Sequence, residues 1–164
     1  MAQKPSDNAS NPCAYDKALA LLVRREHSAR ELKSKLAQRG FDDDESAEAL
    51  ERLQAKDFQS DARFGEMLVR SRIESGYGPR WIVAELKTHA IGEEAANALI
   101  EAAQPDWPVL ILRQLQRRFG DNPASSYAQL RKRVAFLLRR GFDAATVQSI
   151  TRAQGVGASA GELN

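Results

Sequence analysis

The chain has 164 residues and a formal net charge of +2, and 43% of its residues are apolar while 28% are charged. This composition lies near the globular average, and it argues against a disordered, collagen-like or membrane-spanning chain. The polar N-terminus lacks the apolar core of a signal peptide, and the lone Cys13 has no disulfide partner, so we expect a soluble, cytoplasmic protein.

The charge is unevenly distributed along the chain. Residues 1–60 carry a net charge of −1, residues 61–104 carry −2, and residues 105–164 carry +5. Local positive charge is typical of a surface that meets phosphates or an acidic protein face, although solvated helix surfaces carry it too. Eight basic side chains lie between residues 107 and 140, beside one acid, Asp121: Arg113, Arg117, Arg118, Arg131, Lys132, Arg133, Arg139 and Arg140.

One local pattern occurs three times between two tails. The polar residues 1–13 and the small, glycine-rich residues 155–164 are predicted to be disordered. Between them, residues 32–50, 82–100 and 133–151 share a helix, a small residue, a large apolar residue and a second helix, at a spacing of fifty or fifty-one residues. A fixed repeat of this length indicates a modular array.

A further helix precedes each copy, at about 15–26, 61–75 and 107–119. We therefore predict an all-α fold of nine helices, in which three helix-turn-helix-like repeats form an elongated, curved array. The predicted repeats are residues 14–57, 58–104 and 105–154.

In the first repeat, the predicted helix boundaries come from capping residues. Ser28 begins the second helix, and Asp42 with Glu45 has the spacing of a capping box at the start of the third. Gly40 suits the left-handed residue just past a helix end. Because the third helix is acidic, we expect DNA phosphates to repel it.

The second repeat begins its second helix at Gly78-Pro79 and has Ala90 where the other copies have glycine. Tyr77, between two glycines, is predicted to be exposed. Arg70 and Arg72 have two open interpretations, a partner contact or local pairs with Glu66 and Glu74. The predicted core residues are Phe58, Phe64, Leu86 and Ile91.

In the third repeat, Ser126 is the predicted cap of the second helix, and Gly141 is its left-handed end. Asp143 caps the final helix, and Phe142 meets Val147 across that cap as a hydrophobic staple. Trp107 fits the core better than a base-stacking platform.

The sequence contains no recognisable catalytic constellation. His27 and His89 are far apart, neither belongs to a metal-binding motif, and Cys13 lies in a predicted tail. The run Asp42 to Glu45 lacks the alternation and central glycine of a calcium loop. We therefore predict a protein that is not an enzyme and needs no metal or other cofactor.

Residues 56–101 resemble the central segment of the bacterial regulatory RecX family. The similarity rests on Phe58, on Asp61-Ala-Arg63-Phe64, on Arg70-Ser-Arg72, on the Gly76-Tyr-Gly-Pro79 turn, and on Glu85-Leu86 with Ala90-Ile91, where glycine is more usual. The segment from Ser28 to Phe41 is similar to the family's N-terminal repeat. Asp106-Trp107, Arg118-Phe-Gly120 and Leu137 to Phe142 are similar to its C-terminal repeat, so the resemblance covers about residues 15–154.

The resemblance implies a non-enzymatic modulator of RecA. Family members bind the recombinase, usually along the groove of its filament on DNA, and restrain ATP hydrolysis, strand exchange and co-protease activity in recombination, DNA repair and the SOS response. We accordingly expect a monomer that binds RecA and, weakly and without sequence preference, single- or double-stranded DNA. The eight basic residues of the third repeat are the predicted RecA/DNA contact, and a second contact is predicted at Arg70, Arg72, Tyr77 and Arg80.

The alternative is an independent DNA-binding regulator that uses the third repeat on duplex DNA without RecA. Its final helix is the least acidic of the three candidate recognition helices. Steeply salt-dependent, sequence-selective binding to DNA by the protein alone would favour this alternative.

Overall fold

The computed structural model describes residues 13–153 as two compact units that divide between Phe64 and Gly65. Within that range the chain forms nine helices, which confirms the all-α fold of three tandem three-helix repeats. Both predicted tails, apart from Cys13, lie outside the described residues. Cys13 itself is exposed and precedes the first helix as its N-cap.

Unit 1 contains α1 (Ala14–Leu22), α2 (Ala29–Ala37), α3 (Asp43–Ala55) and the first turn of α4 (Asp61–Glu74). Its core is built from alanines of α1 and α3 and leucines of α2 and α3, because apolar positions recur every three or four residues on one face of each helix. The buried residues of this core are Ala14, Ala18, Leu32, Leu36, Ala49, Leu50 and Leu53.

The first helix is shorter than predicted, because α1 ends at Leu22 rather than near residue 26. Val23 is 80% exposed, so the apolar face that packs α1 on the core stops there. Arg25 then reaches across the following turn and donates to both carboxylate oxygens of Glu31, at 2.6 and 3.3 Å.

Unit 2 contains the rest of α4 with α5 (Pro79–Thr88), α6 (Glu93–Ala102), α7 (Trp107–Phe119), α8 (Tyr127–Arg139) and α9 (Ala144–Ala153). Phe142 and Val147 are both buried in one cluster with Leu137, as expected for the staple. Trp107 packs against this cluster and meets the Phe142 ring edge-on, with centroids 6.1 Å apart, which confirms its place in the core.

Capping side chains begin the helices where the sequence predicts. Asp42 accepts from the Glu45 backbone N–H at 2.8 Å while the Glu45 carboxylate accepts from the Asp42 N–H at 3.0 Å, which completes the capping box. Asp143 accepts from the Thr146 backbone N–H at 2.9 Å, and this bond lowers the pKa of its carboxyl. Each bond satisfies a helix N–H that has no intrahelical partner.

The three positions predicted to be left-handed have positive φ angles, 88° at Gly40, 64° at Ala90 and 84° at Gly141. In every repeat the next residue then donates its N–H back to a carbonyl of the helix that has just ended, as Phe142 does to Leu137 at 3.3 Å. This bond closes the helix and turns the chain toward the following one.

Two predictions for the second repeat are wrong. Phe58 is 47% exposed and Gln59 is buried in its place, because Asp57 takes the left-handed conformation and both following N–H groups bond the Leu53 carbonyl. Tyr77 is half-buried, because its ring stacks on that of Trp81. Phe64, Leu86 and Ile91 are buried as predicted.

Candidate functional site

Two turns of unit 2 meet main chain to main chain. The turn that links α4 to α5 donates from Gly78 N–H to the Arg140 carbonyl at 2.8 Å and from Arg80 N–H to the Gly141 carbonyl at 3.1 Å. This approach requires glycine, because a Cβ on Gly78 would overlap the backbone of Gly141 and Phe142, and one on Gly141 would overlap Trp81. We call this contact the glycine joint, formed by residues 76–80 and 140–142.

Arg140 closes the glycine joint from one side. Its Nη1 donates to the carbonyls of Ser75 and Gly76 at 3.0 and 3.1 Å, and its guanidinium lies 5.1 Å from the centre of the Tyr77 ring. Tyr77 stacks in turn on Trp81, with centroids 4.0 Å apart. These contacts engage Arg140 within unit 2, so it is less available to a partner than the predicted basic contact requires.

Arg72 is also engaged within unit 2. Its Nε and Nη2 donate to the two carboxylate oxygens of Glu85 at 2.6 and 2.7 Å, and these bonds raise the pKa of Arg72. Its ion pair is with Glu85 rather than with Glu74, the local partner considered from the sequence. Bidentate bonds of this kind hold a guanidinium in one orientation.

The other two residues of the predicted second contact are more accessible. Arg70 is largely exposed, and its Nη2 lies 3.8 Å from Glu66, as the sequence suggested. The exposed Arg80 forms no ion pair with any carboxylate in residues 13–153. Of the four, Arg80 and Arg70 can therefore reach a partner without losing a strong internal bond.

The eight predicted basic residues of the third repeat fall into two groups. Arg133 is only 7% exposed and Arg140 is half-buried, and both donate hydrogen bonds to backbone carbonyls. The remaining six are exposed and form no ion pair with a carboxylate of the described chain. They are Arg113, Arg117 and Arg118 on α7 and Arg131, Lys132 and Arg139 on α8.

Two concave surfaces flank α8. One, the α7–α8 pocket, has a volume of about 540 Å³ and is lined by Phe119, residues 122, 123 and 125 of the connecting loop, and Gln129, Lys132 and Arg133 of α8. The other, the α8–α9 groove, has about 390 Å³. Its lining is mainly apolar, with Tyr127, Leu130, Val134 and Leu138 beside Arg131 and Arg152.

Unit 1 carries a different electrostatic pattern. Arg63 donates from Nε to Glu26 at 2.9 Å and from Nη1 to Asp57 at 2.8 Å, and these two bonds raise its pKa. Ala29 N–H and Gln59 Nε2 both donate to Asp61, at 2.8 and 2.9 Å. These bonds tie the α1–α2 turn to the start of α4.

Acidic side chains of α3 lie on the surface of unit 1, where Asp43, Asp44, Glu48 and Glu51 are all exposed. This exposure agrees with the expectation that α3 repels phosphates.

Three family models match the described repeats in order. The first, second and third three-helix domains of RecX match residues 14–53, 60–100 and 109–151. The Regulatory protein RecX of Xanthomonas campestris pv. campestris is 43% identical over 136 residues, which are 83% of this chain and 84% of that protein. The chain belongs to the RecX family. The Regulatory protein RecX of Stenotrophomonas maltophilia is also 43% identical to this chain over 136 residues, which are 83% of this chain and 83% of that protein.

Solved RecX structures share the fold. The crystal structure of RecX from Lactobacillus salivarius superposes with a TM-score of 0.70 at 22% identity, covering 86% of this chain and 94% of that one. A second crystal structure of a regulatory protein RecX gives a TM-score of 0.73 at 21% identity over 85% and 71% of the two chains. The helical repeat architecture is therefore that of the RecX family.

Several residues of the site could not be found from the sequence. Glu85 is the partner of Arg72, and the Asn122 carbonyl is the partner of Arg133, at 2.6 Å. Gln129 shares one face of α8 with the cations of the α7–α8 pocket, but only the fold of the α7–α8 loop turns that face into a pocket. A weak sequence signal existed only for Gln129, which has capping-box spacing from Ser126.

Proposed function

We propose that this chain regulates RecA by binding its filament on DNA and restraining ATP hydrolysis, strand exchange and co-protease activity. One observation carries the proposal: the chain contains all three RecX domains in order, with 43% identity to proteins named Regulatory protein RecX. Regulation then comes from binding alone, so the protein is not an enzyme and needs no cofactor. It acts in the cytoplasm, where a filament on DNA is accessible.

The third repeat is the proposed main contact. Its six exposed cations leave a surplus of positive charge that an acidic protein face or DNA phosphates can neutralise. Apolar side chains are exposed beside them, among them Val109 and Leu112 on α7 and Leu138 on α8. Tyr127 is 72% exposed at the start of α8, and exposed aromatic residues beside arginine are typical of protein interfaces.

The second proposed contact is narrower than the sequence suggested. Arg80 and Arg70 are its exposed members, whereas Arg72 is paired with Glu85 and Tyr77 is stacked on Trp81. The glycine joint connects Arg80 to the end of α8, so the two contacts belong to one unit. A polymer such as a filament can engage both, and two weak contacts on one compact unit add through effective concentration.

The proposal is tested by the DNA-stimulated ATPase rate of RecA, titrated with this protein up to an equimolar ratio. We compare a triple variant with Arg131, Lys132 and Arg139 changed to Ala with a matched variant with Arg24, Arg30 and Lys33 changed to Ala. Both remove three exposed cations. We expect inhibition by the parent and the control, and at least about tenfold weaker inhibition by the α8 variant, since interface contacts rather than net charge carry the effect.

A second candidate is an independent DNA-binding regulator. The six exposed cations without a carboxylate partner among the described residues favour it, because they can neutralise DNA phosphates without RecA. An unchanged RecA ATPase at equimolar ratio, together with tight and sequence-selective binding to duplex DNA, would contradict the RecA proposal and support this one.

A further inference from the structure

The α7–α8 pocket has the lining of an anion site. Its side chains come from the end of α7, the connecting loop and one face of α8, where Gln129, Lys132 and Arg133 follow the helical spacing of three and four residues. Asn122 and Ser125 add polar groups, and no carboxylate lines it. The nearest acid along the loop, Asp121, accepts from Gln116 at 2.8 Å instead.

Arg133 is an unusual buried cation. It is 7% exposed, yet within residues 13–153 it forms no ion pair with a carboxylate. Its hydrogen bond from Nη2 to the Asn122 carbonyl uses one of the five N–H donors of a guanidinium. Its guanidinium also lies 5.4 Å from the centre of the Phe119 ring, and this cation–π contact offsets part of the cost of burying the charge. The counter-charge that is missing among the described residues is what an anion in the pocket would supply.

The start of α8 follows directly on the loop residues that line the same pocket. Backbone N–H groups of a first helical turn carry a partial positive charge, and Ser126, the N-cap of α8, follows the pocket residue Ser125. Lys132 is exposed on the pocket's edge and forms no ion pair among the described residues. Two cations therefore line one polar pocket, and α8 begins close to the pocket residue Ser125 in the chain.

The volume and the walls of the pocket indicate what the anion is attached to. A free phosphate would occupy only a small part of about 540 Å³, and Phe119 and Pro123 provide apolar surface beyond the polar groups. An anion linked to a larger group with carbon-rich faces, such as a sugar, fits both features. A planar guanidinium matches the oxygens of a phosphate through two parallel hydrogen bonds.

We propose that the α7–α8 pocket holds one nucleotide of a DNA strand, with its phosphate on Arg133 and Lys132 and its sugar against Phe119 and Pro123. This inference deepens the proposed function and rests on it, because it names the ligand chemistry of the third repeat. The proposal also gives the basic residues of α8 different roles. Lys132 and Arg133 contact DNA in the α7–α8 pocket, whereas Arg131 lines the α8–α9 groove.

The test is binding of a fluorescein-labelled oligothymidylate to the full chain without RecA, followed by fluorescence anisotropy. Lys132→Gln is compared with Arg131→Gln, which removes an equal charge from the neighbouring exposed position of the same helix. Because Lys132 contacts phosphate in the proposed site and Arg131 does not, we expect about tenfold weaker binding for Lys132→Gln and about twofold for Arg131→Gln. Equal weakening by the two variants would overturn the pocket.

Two further measurements separate the possible sources of the signal. At constant ionic strength, inorganic phosphate is expected to displace the oligonucleotide from the parent more effectively than chloride does. From the Lys132→Gln variant, phosphate and chloride are expected to displace it equally. Arg133→Lys keeps the positive charge but lacks the planar set of N–H donors that a guanidinium offers to two phosphate oxygens. We therefore expect it to weaken binding, while circular dichroism reports an unchanged helical signal. Displacement by phosphate and chloride alike would contradict a built phosphate site.

The RecA ATPase assay is independent of this binding assay. A parent that binds oligothymidylate through Lys132 but leaves the RecA ATPase unchanged would refute the proposed function and support the pocket. A parent that inhibits RecA while Lys132→Gln binds oligothymidylate as well as the parent does would overturn the pocket and leave the proposed function standing.

Discussion

Gly40 in unit 1 and Gly141 in unit 2 occupy the same place in their repeats but meet different surroundings. Both follow a helix, and both have a φ angle near 85°, 88° for Gly40 and 84° for Gly141. A Cβ on Gly40 would meet nothing within 4 Å, whereas one on Gly141 would overlap the backbone and side chain of Trp81. One local rule thus places both glycines, but only Gly141 also makes room for a neighbouring repeat.

The largest effect is expected from a substitution that breaks the glycine joint. Gly141→Ala adds strain at positive φ and forces Trp81 away, so we expect the free energy of unfolding to fall by about 3 kcal/mol or more. Urea unfolding followed by tryptophan fluorescence measures it, because Trp81 and Trp107 both lie in unit 2. A loss no greater than that of Gly40→Ala would show that the joint adapts to a side chain.

Gly40→Ala sharpens the comparison by isolating the backbone effect. With open space around the new methyl group, only the left-handed φ is unfavourable, and we expect a loss of about 1 kcal/mol. Hydrogen exchange of the α2 and α3 amides reports this loss in unit 1. Ala90→Gly is the reciprocal control, because it relieves the same strain at φ 64° and is expected to increase protection in α5 and α6.

The smallest expected effect depends on pH and falls on unit 1. Burial lowers the pKa of His27 from its ordinary value of 6.5, and Glu31, whose Oε2 lies 3.1 Å from Nδ1, offsets this only in part while Arg25 and Lys35 add to it. The unfolded chain takes up this proton more readily than the folded chain. Unit 1 therefore loses stability as the pH falls below 6.5.

Glu31 acts in the same direction at lower pH. Burial favours its neutral form, but the hydrogen bond from Arg25 and the charge of His27 outweigh that effect, so its pKa lies below the ordinary 4.5. Hydrogen exchange of α2 above and below pH 6.5 measures the His27 effect, after correction for the intrinsic exchange rate. In the His27→Gln variant, the protection of α2 should change less with pH than in the parent. An equal change with pH in both proteins would show that another group causes it.

Local patterns predicted the parts of this fold that depend on residues close in sequence. Asp42 and Glu45 are three residues apart, and a capping box needs no other information. The left-handed positions were equally readable, even at Ala90, because they follow from where each helix must end. The prediction that Phe58 belongs to the core was wrong, because the left-handed conformation of Asp57 changes which of the following side chains is buried.

The site depended on contacts that no local pattern contains. Arg140 bonds the Ser75 carbonyl, 65 positions earlier in the chain, and Arg72 bonds Glu85, 13 positions later. The sequence identified the basic character of the third repeat but could not separate Arg133 and Arg140, which are engaged internally, from Arg131 and Lys132, which are exposed. Tertiary packing alone makes that distinction.

The glycine joint has a consequence for how unit 2 meets any partner. Its two main-chain hydrogen bonds hold α5 beside the end of α8 without using a side chain, and the Arg140 side chain is ordered beside them by its bonds to the Ser75 and Gly76 carbonyls. The entropy of bringing the two turns together is lost once, when the chain folds. A partner that touches both Arg80 and α8 then meets a preorganised surface, and less of its binding free energy is consumed in arranging the two contacts.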